Sequence, residues 1–398
     1  MSLQNTPSAN RTHITLFGKR NSGKSSLINA ITGQEVSVVS HIAGTTTDPV
    51  SKPMEIHGIG PCIFIDTAGF DDEGTLGELR IKQTLKAVDR TDIAVFVCNE
   101  NDTEDISEWY NLIKERNIPT LFVLNKSDIV TDISKSLKEI ESRFNHTAIP
   151  VSTLTGNGVE DVRKALVEIA ETKLSSKSAD ITGNLVKEGD TVMLVMPQDI
   201  QAPKGRLILP QVQTIRELLD KKCLVLSCTT DKIGQMLQAM KEAPKLIITD
   251  SQVFRTVYEQ KPAESRITSF SVLFAKMKGD IEYFVEGANS IKNLTGSSCV
   301  LIAEACTHAP LTEDIGREKI PAMLRKRFGE EMKIDIVSGS DFPEDLSKYD
   351  LIIHCGGCMF NRKHVLSRVD KAKGQSVPMT NYGVTIAYLQ GILDKIEY

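Results

Sequence analysis

The chain has 398 residues, 40% hydrophobic and 25% charged, with a formal net charge of −5. That length implies two to four domains, each able to bury a core, in an ordinary globular composition. The acidic balance argues against a dedicated nucleic-acid binder, the polar residues 1–8 lack the apolar core of a signal peptide, and no apolar run approaches the ~20 residues of a membrane span. A cytoplasmic location is therefore expected, and there the eight cysteines would be reduced thiols or metal ligands. Cys62, Cys98, Cys223, Cys228 and Cys299 lie inside apolar runs and read as small buried hydrophobes.

Residues 13–17 read as a strand, and Gly18-Lys19-Arg20-Asn21-Ser22-Gly23-Lys24-Ser25 opens a helix beginning at Ser26. This is G-x-x-x-x-G-K-S in its strand–loop–helix context. The glycines let the backbone wrap a phosphate, and successive N–H groups plus the helix N-terminus attract the anion. Gly18, Asn21, Ser22, Gly23, Lys24, Ser25 and Ser26 form the candidate phosphate-binding set. Lys24 is placed to reach the β and γ phosphates, and the Ser25 hydroxyl to ligate Mg2+. Gly44-Thr45-Thr46-Thr47 follows, a hydroxyl-rich loop that senses a γ-phosphate through Mg2+. A strand at 63–66 ends in Asp66, expected to hold Mg2+ through water, and Gly69 offers a backbone N–H to the γ-phosphate. Lys24, Thr47 and Gly69 are the candidate catalytic residues.

A strand at 120–124 leads into Asn125-Lys126-Ser127-Asp128. The Asp128 carboxylate can accept from both the N1 and N2 donors of guanine, a pattern adenine does not offer. A further strand ends in Ser152-Thr153, whose backbone can contact the guanine O6. Five elements in this order and spacing identify a GTPase taking GTP, GDP and Mg2+. Phe70 stands where Ras-like GTPases place a water-orienting Gln. The segment 18–25 resembles the TrmE–Era–EngA GTPase group, and that resemblance implies that Asn21 ligates K+. Slow, K+-stimulated hydrolysis is expected, and Asp71, Asp72 and Glu73 read as a solvated acidic loop. A helix over 159–174 closes the first domain, 1–174, and 175–180 reads as a polar linker.

Residues 181–265 alternate short strands (191–195, 223–226, 245–248) with two helical faces, Val212, Ile215, Leu218, Leu219 and Ile233, Met236, Leu237, Met240. They read as a small α/β domain used for homodimerisation. Residues 266–398 carry strands at 298–303, 333–337 and 350–353 and helices at 318–328 and 384–396. The expected architecture is therefore α/β throughout, in three domains. Alternating strands and helices imply a parallel sheet, which binds ligands beyond the carboxyl ends of its strands. Cys306-Thr307-His308 follows one such strand, and His354-Cys355-Gly356-Gly357-Cys358 follows another. Three thiols therefore point to one metal site, with His308, His354 and Glu304 as candidates for a fourth or supporting position. The donor set alone suits zinc as well as an iron–sulfur cluster.

A TrmE–Era-like GTPase followed by Cys-x-His and, at long range, His-Cys-x-x-Cys resembles the HydF family, the maturation GTPases of FeFe-hydrogenase, along the whole chain. The resemblance implies a 4Fe–4S cluster on Cys306, Cys355 and Cys358 with a labile non-cysteine fourth position. It further implies a scaffold that takes a diiron subcluster precursor from radical-SAM maturases and delivers it to apo FeFe-hydrogenase. Two other readings are an Era-like RNA- or ribosome-assembly GTPase, for which no basic RNA-binding module is visible, and a GTPase with a structural zinc site. His13, His41, His57, His146 and His364 are expected at the surface.

Overall fold

The computed structural model describes residues 6–33, 50–67, 75–100, 103–174, 180–197, 207–305 and 314–398, and the chain divides into two units, Met1–Ser178 and Ala179–Tyr398. In the first unit, strands β1 (Thr12–Phe17), β2 (Val50–Ile56), β3 (Gly60–Asp66), β4 (Ile93–Cys98), β5 (Thr120–Leu124) and β6 (Ala148–Pro150) form one sheet. Its order is β2-β3-β1-β4-β5-β6, parallel except for β2, which runs antiparallel to β3. Pro53 confines β2 to the edge and masks it in the sequence, because proline removes a ladder donor.

The two-residue period of the strands sorts side chains into two cores. Ile14, Leu16, Val95, Val97, Leu121 and Val123 face one side, where Val159, Val162 and Leu166 of helix Val159–Ile169 cover them. The α-helical part expected to reach 174 ends at Ile169 and continues to Leu174 as a wider turn. On the other side Phe17, Phe96, Phe122 and Phe144 stack in series, with ring centroids 5.5, 5.2 and 4.9 Å apart. Each such pair adds roughly 0.5–1.5 kcal/mol beyond its area burial.

The second unit holds β7 (Thr191–Val195), β8 (Leu224–Cys228), β9 (Leu246–Thr249), β10 (Arg266–Ser269), β11 (Cys299–Ala303), β12 (Lys333–Val337), β13 (Leu351–His354) and β14 (Met379–Asn381). They make two all-parallel sheets, ordered β10-β9-β7-β8 and β12-β11-β13-β14. The break expected at 265/266 falls directly before β10, which pairs with β9 and completes the first of these sheets. Nor does each sheet keep a core to itself: Met193, Val195 and Ile247 share one apolar cluster with Leu301, Ile353 and Val384.

Helix Phe270–Lys278 joins the two sheets. Phe270, Leu273 and Phe274 pack on one face of the β7–β10 sheet, while Val272 and Ala275 enter the shared core. The helix expected over 384–396 begins at Tyr382 and stops at Leu389, followed by Gly391 at φ 71°. That left-handed turn is one glycine adopts without strain. Among the described residues no helix is long and apolar enough to cross a membrane.

Candidate functional site

β1 ends at the phosphate loop, which turns through left-handed residues at Asn21 (φ 58°) and Gly23 (φ 93°), the latter capping helix Lys24–Thr32. A Cβ at Gly23 would collide with Nδ2 of Asn125, so both the backbone angle and the packing demand glycine. That Nδ2 donates to the Ser22 carbonyl at 2.9 Å and ties the guanine loop to the phosphate loop. Among the described residues the Asn125 Oδ1 and the Ser22 hydroxyl, both buried, have no hydrogen-bond partner. Lys24 is buried and curls back on its own loop, with Nζ donating to the carbonyls of Gly18 (2.8 Å) and Lys19 (2.7 Å).

The Ser25 hydroxyl donates to Asp66 Oδ2, while the buried Oδ1 of Asp66 has no partner among the described residues. Burial lifts this carboxyl above the usual range, against the opposing pull of Ser25, Lys24 and Lys52. A hydroxyl beside a carboxylate short of partners is the kind of oxygen set Mg2+ takes.

Past β5, Lys126 is left-handed (φ 57°), Ser127 N–H donates to the Val151 carbonyl (3.0 Å), and Asp128 is exposed. Past β6, Ser152 is buried and its hydroxyl accepts from the Thr155 N–H at 3.2 Å, with Thr153 beside it half-buried. The structure thus gathers Gly18, Ser22, Gly23, Lys24, Ser25, Asp66 and Asn125 at one sheet edge, with Asn21 exposed on the loop and Ser26 half-buried in the first helical turn. Thr45, Thr46, Thr47, Gly69 and residues 71–73 lie outside the described residues.

In the second unit, β11 and β13 are neighbours with Ala303 opposite His354. That register lets Cys355 N–H donate to the Ala303 carbonyl (2.9 Å) and Ala305 N–H donate to Cys355 Sγ (3.0 Å). Cys306, the next residue in the chain, and His308 lie outside the described residues. Cys355 Sγ also accepts from Gly357 N–H at 3.4 Å, and burial pushes the thiol up to about 11. Gly357 is left-handed (φ 60°), and a Cβ there would sit 3.0 Å from Val365 Cγ2.

His354 does not present a lone pair to this loop. Its Nδ1 lies 2.7 Å from the Cys355 carbonyl and its Nε2 3.1 Å from Nη1 of Arg368. Burial first, then the Arg368 guanidinium, push the imidazole down to about 3. A neutral ring that donates from Nδ1 and accepts at Nε2 satisfies both contacts. Arg368 is itself buried, bonded to the Gly339 carbonyl and held over the rings of Phe342 and Phe360 at 4.9 and 4.6 Å. Glu304 is also engaged: Oε2 accepts from Arg317 Nε (3.1 Å) and Nη2 (2.9 Å) and from the Ser338 hydroxyl (3.1 Å). Among the described residues no three His, Cys, Asp or Glu side chains converge on a metal position.

One residue at this loop carries no motif in the sequence. Lys278 ends helix Phe270–Lys278 and is 3% exposed, with Nζ donating to the carbonyls of Gly357 (3.0 Å) and Phe360 (2.8 Å). Burial pulls its ammonium down to about 8, with the sulfurs of Cys358 and Cys355 acting in the opposite direction. The only trace in the sequence is a lysine closing an apolar helix before Gly279.

The histidine expectation needs correction. His13 is buried in the central strand β1, 3.5 Å from Asp92, and His364 is buried on the inner face of helix Arg362–Gly374, stacked on Phe360 at 3.8 Å. His146 is half-buried against Tyr110 and Phe122, His57 is exposed, and His41 lies outside the described residues. Of the other cysteines, Cys62, Cys98 and Cys223 are buried, and Cys228 and Cys299 are half-buried.

Comparison with known proteins fits this division. The family description "Hydrogen maturase F dimerization domain" matches residues 181–279, and "Hydrogen maturase F tetramerization domain" matches 282–397. The chain belongs to the hydrogen maturase F (HydF) family. The junction of the two HydF domains thus falls at the end of helix Phe270–Lys278. "50S ribosome-binding GTPase" matches residues 13–126.

The chain is 37% identical over 167 residues to the tRNA modification GTPase MnmE of Endomicrobium trichonymphae, covering 39% of this chain and 35% of that protein. It is 34% identical over 179 residues to the GTPase Der of Wolinella succinogenes, covering 42% and 37%. The chain thus spans about a third of the length of these curated relatives. A solved structure of an Aquifex aeolicus Era variant bound to GDP and AlF4− aligns with TM-score 0.36 and 21% identity over 55% of this chain and 92% of that one. The first unit is a P-loop GTPase domain, a fold that holds guanine nucleotides and Mg2+.

Proposed function

We propose that this HydF-family chain is a GTP-hydrolysing scaffold that binds a 4Fe–4S cluster through Cys306, Cys355 and Cys358. In this reading it carries a diiron precursor from radical-SAM maturases to apo FeFe-hydrogenase. The observation that carries the cluster assignment is the 3.0 Å hydrogen bond from Ala305 N–H to Cys355 Sγ. It brings the residue before Cys306 to the sulfur of the Cys-x-x-Cys loop, across 50 residues of sequence. Two thiols on a glycine-shaped loop, with backbone N–H donors to sulfur, suit such a cluster. When bound, the cluster supplies an iron site open to exchange and to electron transfer. His354 and Glu304 are committed to Arg368 and Arg317, which leaves the fourth position to His308 or to an exchangeable ligand.

In the GTPase unit, Lys24 exchanges the carbonyls of Gly18 and Lys19 for phosphate oxygens, Ser25 and Asp66 take Mg2+, and Asp128 reads guanine. Asn21, exposed on the phosphate loop, binds K+ and stimulates slow hydrolysis, with Thr45, Thr46, Thr47 and Gly69 sensing the γ-phosphate. The protein acts in the cytoplasm and pairs with a second copy through 181–279. β8 is an open sheet edge with Leu224 62% exposed, beside Val212 and Leu219 at 47% and 56%. The match at 282–397 adds a second association, to a tetramer. Hydrogenase activation measured with GTP, GDP and a non-hydrolysable analogue tests the coupling: distinct rates are expected, and identical rates with all three would refute it.

A further inference from the structure

Lys278 is buried in a way the fold itself does not require. Its Nζ lies 5.8 Å over the Phe274 ring, and among the described residues no carboxylate pairs with it. Removing an ammonium from water is strongly unfavourable unless an opposite charge compensates. Two neutral carbonyls meet only part of that demand. Those carbonyls belong to Gly357, inside the Cys-x-x-Cys loop, and to Phe360, two residues beyond it. The nearby groups able to become anions are Cys355 and Cys358, whose sulfurs favour the charged lysine. Thiols become thiolates when a metal binds, so the missing counter-charge arrives with the iron.

We propose that Lys278 is the positioning cation of the cluster loop: anchored by Gly357 and Phe360, its ammonium offsets the thiolates of Cys355 and Cys358 and raises the reduction potential of a bound 4Fe–4S cluster. The proposal rests on the cluster reading above. Reduction adds one negative charge to an already anionic site, and a fixed cation beside it stabilises the reduced form. The same contacts tie the loop to the helix that closes the β7–β10 sheet, so loss of Lys278 also loosens the loop's grip on iron.

The test uses full-length protein reconstituted anaerobically as wild type, Lys278→Gln and Lys278→Arg. Iron content, release of iron to a chelator and a redox titration followed by electron paramagnetic resonance are measured for each. Lys278→Gln keeps an amide donor for the carbonyls but no charge. Its midpoint should become more negative by roughly a tenfold change in the reduction equilibrium, about 59 mV for one electron, and iron should leave several-fold faster. Lys278→Arg, with the charge retained, should stay near the wild-type potential.

An unchanged midpoint in Lys278→Gln at full iron content overturns the proposal. So does lower iron content with an unchanged midpoint, which would make Lys278 a mechanical anchor only. A shift in Lys278→Arg as large as in the glutamine variant also overturns it. If circular dichroism shows that Lys278→Gln does not fold, Lys278→Met fills the same apolar slot and is titrated in its place, with the same expected sign. An absent iron–sulfur signal in the wild type itself would instead refute the cluster reading.

Discussion

The phosphate loop and the cysteine loop solve one problem in two ways. Both follow a parallel strand, both turn on a left-handed glycine, and in both a buried lysine donates to two carbonyls in or just beyond the loop. Lys24 comes from the helix that the phosphate loop itself opens, six residues from the Gly18 carbonyl it bonds. Lys278 reaches Gly357 from a helix 79 residues upstream. A lysine built into its own loop can release those carbonyls when phosphate arrives, because both belong to the loop that the phosphate itself would fill. A lysine delivered by a core helix stays where the helix puts it. The first arrangement suits a ligand that turns over, and the second suits one that is held.

The largest effect that would test this contrast is at Lys24. Lys24→Ala should lower GTP turnover by roughly 10²–10³-fold and leave the iron content unchanged, measured by phosphate release and iron analysis. A parallel loss of iron would show that the two loops do not serve separate ligands. Gly23→Ala comes next, because its Cβ meets both a left-handed φ of 93° and the Asn125 amide. Backbone strain alone costs about 1–2 kcal/mol, so GTP affinity by calorimetry should fall about tenfold or more. Gly357→Ala should cost a similar 1–2 kcal/mol of strain, read as faster iron loss to a chelator with GTP turnover unaltered.

The smallest effect lies in the pH dependence of the first unit. Burial, then Lys114, push His146 below its ordinary value. The unfolded chain therefore takes up the proton more readily than the folded one. Stability is full above about pH 6.5 and declines as the pH falls below it. Urea midpoints at pH 7.5 and 5.0 should differ more for wild type than for His146→Phe, which keeps the stacking on Tyr110 and Phe122 without a titrating group.

What could be read in advance follows the same division. The GTPase motifs are legible because the residues of each one stand close in sequence, where local backbone geometry enforces their spacing, and the motifs follow one another in a fixed order. Strand 191–195 is legible as an unbroken β-forming run, and 333–337 as an alternation of charged residues with Ile334, Ile336 and Val337. β10 and β14, four and three residues long, are too short to show a period, which is why the sequence places the domain break one strand before the end of the β7–β10 sheet. The Cys-x-x-Cys loop was visible, but its support was not. Arg368 and Lys278 sit on helices with no motif, and their burial follows from tertiary contacts that the sequence does not display: aromatic rings packed on both, and carbonyls from distant loops that accept from them. The burial of His13, in an apolar strand, and of His364, next to Arg362 and Lys363, does not show in the sequence, because a single histidine carries no sign of which way it points.

The most direct test of the account is electron paramagnetic resonance, with iron and zinc analysis, on anaerobically reconstituted and reduced protein, wild type beside Cys355→Ala. A 4Fe–4S signal in the wild type that disappears in the variant is the predicted result. Stoichiometric zinc with no cluster signal would contradict it, leaving a GTPase with a structural metal site.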